Sequence, residues 1–111
     1  MAIFSTHLLN SINGTHASDV EIIIYKSNND NKVVFLEDKT DSSGRMLKEF
    51  ELTKEDCESD YEMIINSGKY FRNTSEIINS ISVKFKMKDS EKKYHIPLII
   101  SPNGYSIWWS K

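Results

Sequence analysis

The stretch from Ile77 to Lys88 constrains the fold more than any other part of this 111-residue chain. Ile77, Ile81, Val83, Phe85 and Met87 fall on one parity, and Ser80, Ser82, Lys84, Lys86 and Lys88 on the other; Asn79 breaks the apolar face and Ile78 the polar one. A repeat of two is the side-chain period of a β-strand and is incompatible with the 3.6-residue period of a helix. One apolar and one charged face describe a strand that covers a core on one side and meets water on the other, the usual situation in an antiparallel sheet.

Further β-branched or aromatic runs lie at Val20 to Lys26, Lys32 to Leu36, Tyr61 to Ile65, Tyr94 to Ile100 and Tyr105 to Trp109. They are punctuated by Asn28-Asn29-Asp30-Asn31, by Asp41-Ser42-Ser43-Gly44 and by Pro102-Asn103-Gly104, which reads as a hairpin joining the last two strands. Ser5 to Leu9 and Met46 to Leu52 read as two additional edge strands. Only Ser67 to Ser75 reads as helical, with Ser67 as its cap and Gly68 weakening it. The expectation is an all-β, two-sheet β-sandwich of seven to eight strands with one short helix, in a single domain over residues 1–111.

The formal net charge of −2 gives no cationic field for a nucleic-acid backbone or an anionic membrane. Lys84, Lys86 and Lys88, with Lys92 and Lys93, read as a solvated strand face that discourages edge pairing. Cys57 is the sole cysteine, so no internal disulfide is expected and a reducing, cytoplasmic location fits. The N-terminus shows neither a cationic start nor a sustained apolar stretch, so no signal peptide or membrane span is expected. Asn13-Gly14-Thr15 and Asn73-Thr74-Ser75 match the glycosylation sequon and are read as turn and cap sequences. No histidine and cysteine spacing suggests a metal site.

Among polar residues the rare types are the informative ones: three histidines, and two arginines among fourteen cations. His95 interrupts the apolar run Tyr94 to Ile100, as either a core histidine satisfied by a carbonyl or a functional one. His7 follows Ser5-Thr6, and Arg45 follows the Gly44 turn; each is also readable as an ordinary solvated residue. Were the three to meet, two imidazoles and a guanidinium would suit hydrolysis of a planar anion. Cys57 has acidic neighbours in Lys54-Glu55-Asp56-Cys57-Glu58 and makes a poor nucleophile.

Thr6-His7-Leu8-Leu9-Asn10, Thr40-Asp41-Ser42-Ser43-Gly44-Arg45 and the block from Tyr94 to Ser106 resemble, in order and spacing, the transthyretin-related 5-hydroxyisourate hydrolases. The resemblance implies a transthyretin-like (prealbumin) sandwich assembling as a homotetramer with sites in a channel between dimers. It implies hydrolysis of 5-hydroxyisourate to 2-oxo-4-hydroxy-4-carboxy-5-ureidoimidazoline in urate degradation, with no cofactor and no metal. The family's histidines fall on His7 and His95 and its arginine on Arg45, so these become the expected catalytic residues, with Arg45, His7 and Trp108 against substrate.

The chain departs from the family pattern in its tail. Trp108-Trp109-Ser110-Lys111 stands where the family carries Tyr-Arg-Gly-Ser or Tyr-Arg-Gly-Thr, so Trp108 keeps an aromatic wall without the phenol, and Trp109 replaces a cation. Ser110 replaces a glycine, which restricts positive φ. Asn10 stands where aspartate is usual, and His16 where proline is typical. The alternative is a non-catalytic transthyretin-like tetramer that binds a small aromatic ligand in its central channel, with the tryptophans as walls.

Overall fold

The computed structural model describes residues 1–74 and 77–109. Its strands are β1 (Ala2–Asn10), β2 (Thr15–His16), β3 (Glu21–Asn28), β4 (Asn31–Lys39), β5 (Arg45–Phe50), β6 (Asp60–Ile65), β7 (Ile81–Phe85), β8 (Lys93–Ser101) and β9 (Gly104–Ile107), with helices α1 (Lys54–Glu58) and α2 (Ser67–Tyr70). They form two sheets. In the first, β1 pairs parallel with β8 on one side and antiparallel with β5 and β2 on the other, and β9 pairs with β8. The second runs β4-β3-β6-β7.

The core lies between the sheets. Phe4 of β1 stacks on Phe85 of β7 with ring centroids 5.0 Å apart, and Phe85 stacks on Tyr61 of β6 at 5.5 Å. Phe4, Leu8, Ile22, Ile24, Met63, Ile65, Leu98 and Ile100 are fully buried around them. Each such side chain contributes roughly 1.5–3 kcal/mol relative to exposure.

Ser5 to Leu9 is part of a central strand, not an edge. Ala2, Phe4, Thr6, Leu8 and Asn10 face the core. Two of these five are polar, which masks the alternation. Thr6 is tolerated there because its hydroxyl donates to the Ile96 carbonyl at 2.6 Å, and Asn10 because its side-chain Oδ1 accepts the Ile12 amide at 2.9 Å.

The strand expected from Ile77 to Lys88 is shorter, covering Ile81–Phe85. Ile77 is 92% exposed. The cause is α2: the Gly68 amide donates to the Asn79 carbonyl at 2.9 Å, and a Cβ on Gly68 would lie 2.5 Å from that oxygen. Asn79 is therefore used by the helix and not by the sheet, and Gly68 is required for close approach. The helix is capped by Asn66 rather than Ser67 and ends at Tyr70, not at Ser75, which lies outside the described residues.

A second helix, α1, was not expected. It has a capping box in which the Asp56 amide donates to the Thr53 hydroxyl and the Thr53 amide to the Asp56 carboxylate. Five residues are too few to display a helical period. Asp56 also accepts from Lys26 Nζ at 2.8 Å, tying α1 to β3, while its carbonyl accepts the Tyr61 hydroxyl at 2.7 Å.

Two turns set strand register. Asn29 and Asp30 both have positive φ, 49° and 69°, which gives the β3–β4 hairpin the twist its strands need. Gly44, at φ +72°, ends the turn before β5; the Asp41 carboxylate accepts the Ser43 and Arg45 amides at 2.8 and 3.0 Å. The Leu8 amide donates to the Gly44 carbonyl at 2.7 Å. A Cβ at Gly44 would lie 2.5 Å from the Leu8 carbonyl oxygen.

Gly44→Ala therefore meets both a strained φ and a backbone clash, and is expected to cost more than about 1–2 kcal/mol in urea unfolding. Asp56→Ala removes the carboxylate half of the capping box and the Lys26 partner and is expected to cost about 1–3 kcal/mol. Burial raises the Asp56 pKa, but the Lys26 and Thr53 hydrogen bonds outweigh it and the net direction is down. A depressed folded-state pKa means its contribution is present above about pH 4 and lost as pH falls through the lower folded value, so the parent and Asp56→Asn stabilities should converge in acid.

Candidate active site

Because β1 is central, its outward residues Ile3, Ser5, His7 and Leu9 have neighbours on both sides. Residues aligned across paired strands point to the same face of the sheet. His7 is aligned with Arg45 on β5 and with Pro97 on β8, and Ser5 is aligned with Leu47 and His95. Arg45 and His7 thus share one row across the sheet, and His95 lies in the next row on the adjoining strand. Strand spacing and rise put its backbone about 8 Å from that of His7.

The Arg45 position follows from the turn that precedes it. Asp41 and Gly44 hold the start of β5 against Leu8, so the first residue of β5 has His7 as its partner. The Asp41 carboxyl is held below its usual range by the Arg45 and Ser43 amides. His95 is held by Ser5, whose Oγ lies 2.8 Å from His95 Nδ1. A hydroxyl can donate or accept, so Ser5 steadies either tautomer of the ring.

His7 is half-buried, and its pKa lies below the ordinary 6.5. Burial is the largest cause, followed by the positive charge of Arg45 and then that of His16, with a smaller effect from His95; a backbone hydrogen bond at Ser43 opposes them. All three charged neighbours act in one direction. Such a ring stays neutral, and so able to accept a proton, at lower pH than an isolated histidine.

Trp108 lies just beyond β9, and its amide donates to the Pro97 carbonyl at 3.3 Å. Its backbone therefore lies on the far side of β8 from His7, with Pro97 between them. Trp108 and Trp109 also line a cleft of about 550 Å³ at the β7 edge, together with Phe85, Tyr94, Ile96 and Ile107. This cleft uses Tyr94 and Ile96, the β8 residues on either side of His95, and contains none of His7, Arg45 and His95. The expectation attached to Ser110 and Lys111 lies outside the described residues.

Three residues of this face have no site role in the sequence reading. His16 Nδ1 lies 3.0 Å from His7 Nε2, Ser5 orients His95, and Asp41 builds the turn. The signals available were the rarity of histidine, the Ser5 and His7 parity, and the Asp-x-x-Gly turn. Among the described residues no group of three or more His, Cys, Asp or Glu is placed to hold a metal ion, and no helix is long and apolar enough to cross a membrane.

Two relatives align over nearly the whole chain. The 5-hydroxyisourate hydrolase 2 of Rhizobium meliloti is 26% identical over 110 residues, covering 94% of this chain and 92% of its own. The 5-hydroxyisourate hydrolase of Salmonella dublin is 29% identical over 108 residues, covering 96% and 79%. Among solved structures, Klebsiella pneumoniae 5-hydroxyisourate hydrolase superposes with a TM-score of 0.76 at 22% identity over the full length of both chains. An (S)-allantoin synthase superposes at 0.82 and 22% identity over 99% of this chain, which spans only 44% of that protein. These likenesses establish a transthyretin-like sandwich. A family model described as HIUase/Transthyretin matches residues 4–109. Sequence, topology and family match agree along the same stretch, and the chain belongs to the HIUase/Transthyretin family.

Proposed function

We propose that the protein hydrolyses 5-hydroxyisourate to 2-oxo-4-hydroxy-4-carboxy-5-ureidoimidazoline, a step of urate degradation. The observation that carries this reading is the cross-strand alignment of His7 with Arg45, with His95 in the adjoining row. The named relatives are 5-hydroxyisourate hydrolases, which supports the same substrate.

In this reading the planar, oxygen-rich ring lies on the sheet face with Arg45 against its oxygens, a role suited to a guanidinium that is always charged and has paired donors. Neutral His7 accepts a proton from water as the water oxygen bonds to the ring carbonyl carbon. Arg45 stabilises the negative charge that forms on the carbonyl oxygen. The carbon–nitrogen bond then breaks, the proton returns to the leaving nitrogen by way of His95 or His7, and a carboxylate remains. Trp108 is assigned a wall of the site. Proton transfer and charge stabilisation suffice for this chemistry, so the reading calls for no cofactor.

A homotetramer belongs to the same proposal. The three residues lie on an open sheet face beside exposed Leu47 and Ile99, rather than in a deep cleft of one subunit, and a facing copy would enclose them. The chain acts as one unit over residues 1–111, and a cytoplasmic location is compatible with the free thiol of Cys57. One feature favours a second reading: the tryptophan-lined cleft would suit a non-catalytic tetramer that binds a small aromatic ligand.

The test is spectroscopic. With 5-hydroxyisourate generated from urate by urate oxidase, the protein should accelerate decay of its absorbance, and Arg45→Met and His7→Asn should each lower kcat/KM by about a hundredfold or more. No acceleration by the parent protein between about pH 6 and pH 8 would remove the hydrolase reading in favour of the binder. Light scattering of the native protein should give the mass of four chains; full activity from a monomer would discard the intersubunit site.

A further inference from the structure

His16 is the one histidine that the reading above leaves without a task. It belongs to β2, a two-residue strand paired with β1 through Leu9 and His16 and through Asn10 and Thr15. Its backbone is fixed on both sides. Gly14, at φ +73°, donates its amide to the Asn10 carbonyl at 2.8 Å, and the Ala17 amide donates to the Leu8 carbonyl at 2.8 Å. From this position the His16 ring reaches back along β1 to His7: Nδ1 lies 3.0 Å from His7 Nε2, with ring centroids 5.1 Å apart and planes inclined by 31°.

We propose that His16 is a positioning residue for the hydrolysis, holding the His7 ring beside Arg45 and sharing its proton as the second half of a two-imidazole base. The inference rests on the hydrolase reading for its catalytic part, and on geometry alone for the pairing.

A single N–H must lie on the line between facing nitrogens 3.0 Å apart. Two neutral imidazoles together have two N–H groups and two lone pairs, of which one each is used on that line. One lone pair remains to take a proton, on His7 Nδ1 when His7 donates along that line and on His16 Nε2 when His16 does. When it takes the water proton, the O–H bond breaks, an N–H bond forms, and movement of the shared proton spreads one positive charge over two rings. A second proton would set two cations and two N–H groups against each other, so the pair takes up no more than one proton and acts as a base only while that place is empty.

The groups that face His7 decide where that proton rests. Arg45 approaches from β5, His95 from β8 and His16 from β2, all cationic when protonated, and Asp41 lies in the turn before β5. His7 is half-buried next to the fixed charge of Arg45, whereas His16 is exposed. Burial and the fixed charge of Arg45 therefore hold His7 toward its neutral form.

The experiment compares the full-length parent with His16→Ala and His16→Asn. Histidine ring titrations by NMR should show the His7 midpoint rising by roughly half a pH unit in both variants, as expected for losing one cationic neighbour at this range. The acid limb of kcat/KM should move upward with it. His16→Asn, which can still hydrogen-bond to His7, should recover KM relative to His16→Ala but not the parent pH profile. An unmoved His7 midpoint and acid limb in both variants would overturn the proposal. If the parent shows no hydrolysis, the hydrolase reading fails by itself, and the NMR titration still decides whether the two rings share a proton.

Discussion

The arrangement of β1 between β5 and β8 is the constraint on which the rest depends. A strand paired on both sides has its register fixed twice, and a slip of one residue would exchange its buried face for its outward one. Phe4 and Leu8 belong to the core, so Ser5 and His7 must face outward. The same pairing sets Arg45 beside His7 and His95 beside Ser5. Core packing and site geometry are thus one property: the hydrophobic face of β1 holds the polar face in place.

The outward face has an electrostatic character that the net charge of −2 does not suggest. Arg45, His16 and His95 all bias His7 toward the neutral form. Asp41, the carboxylate of the adjoining turn, is engaged by backbone amides. A face of this kind attracts an anion while keeping an imidazole able to accept a proton. The acidic surplus lies elsewhere and says nothing of the ligand.

Much of the sandwich was legible because alternation is a local signal. β6 and the β8–β9 hairpin follow the sequence reading within a residue or two, and the polar punctuation falls at the turns. The reading failed where tertiary partners replaced local pattern. Thr6 and Asn10 are buried polar residues, so β1 looked like an edge; Asn79 is taken by α2, so β7 is shortened; and α1 is too short for its period to show. The candidate site was legible in a different sense. His7, Arg45 and His95 stood out by rarity and by resemblance, but no spacing in the chain reveals that β1 aligns two of them and approaches the third. His16 was harder still, since its bond to His7 arises from a two-residue strand formed after a glycine turn.

The central claim is that one sheet face, organised by β1, is where a planar urate-like anion is held. A crystal structure of the protein soaked with urate tests it most directly. The account predicts density for the ring against Arg45, within hydrogen-bonding reach of His7 or His95. Density confined to the cleft beside Trp108 and Trp109, with the His7 face empty, would contradict it.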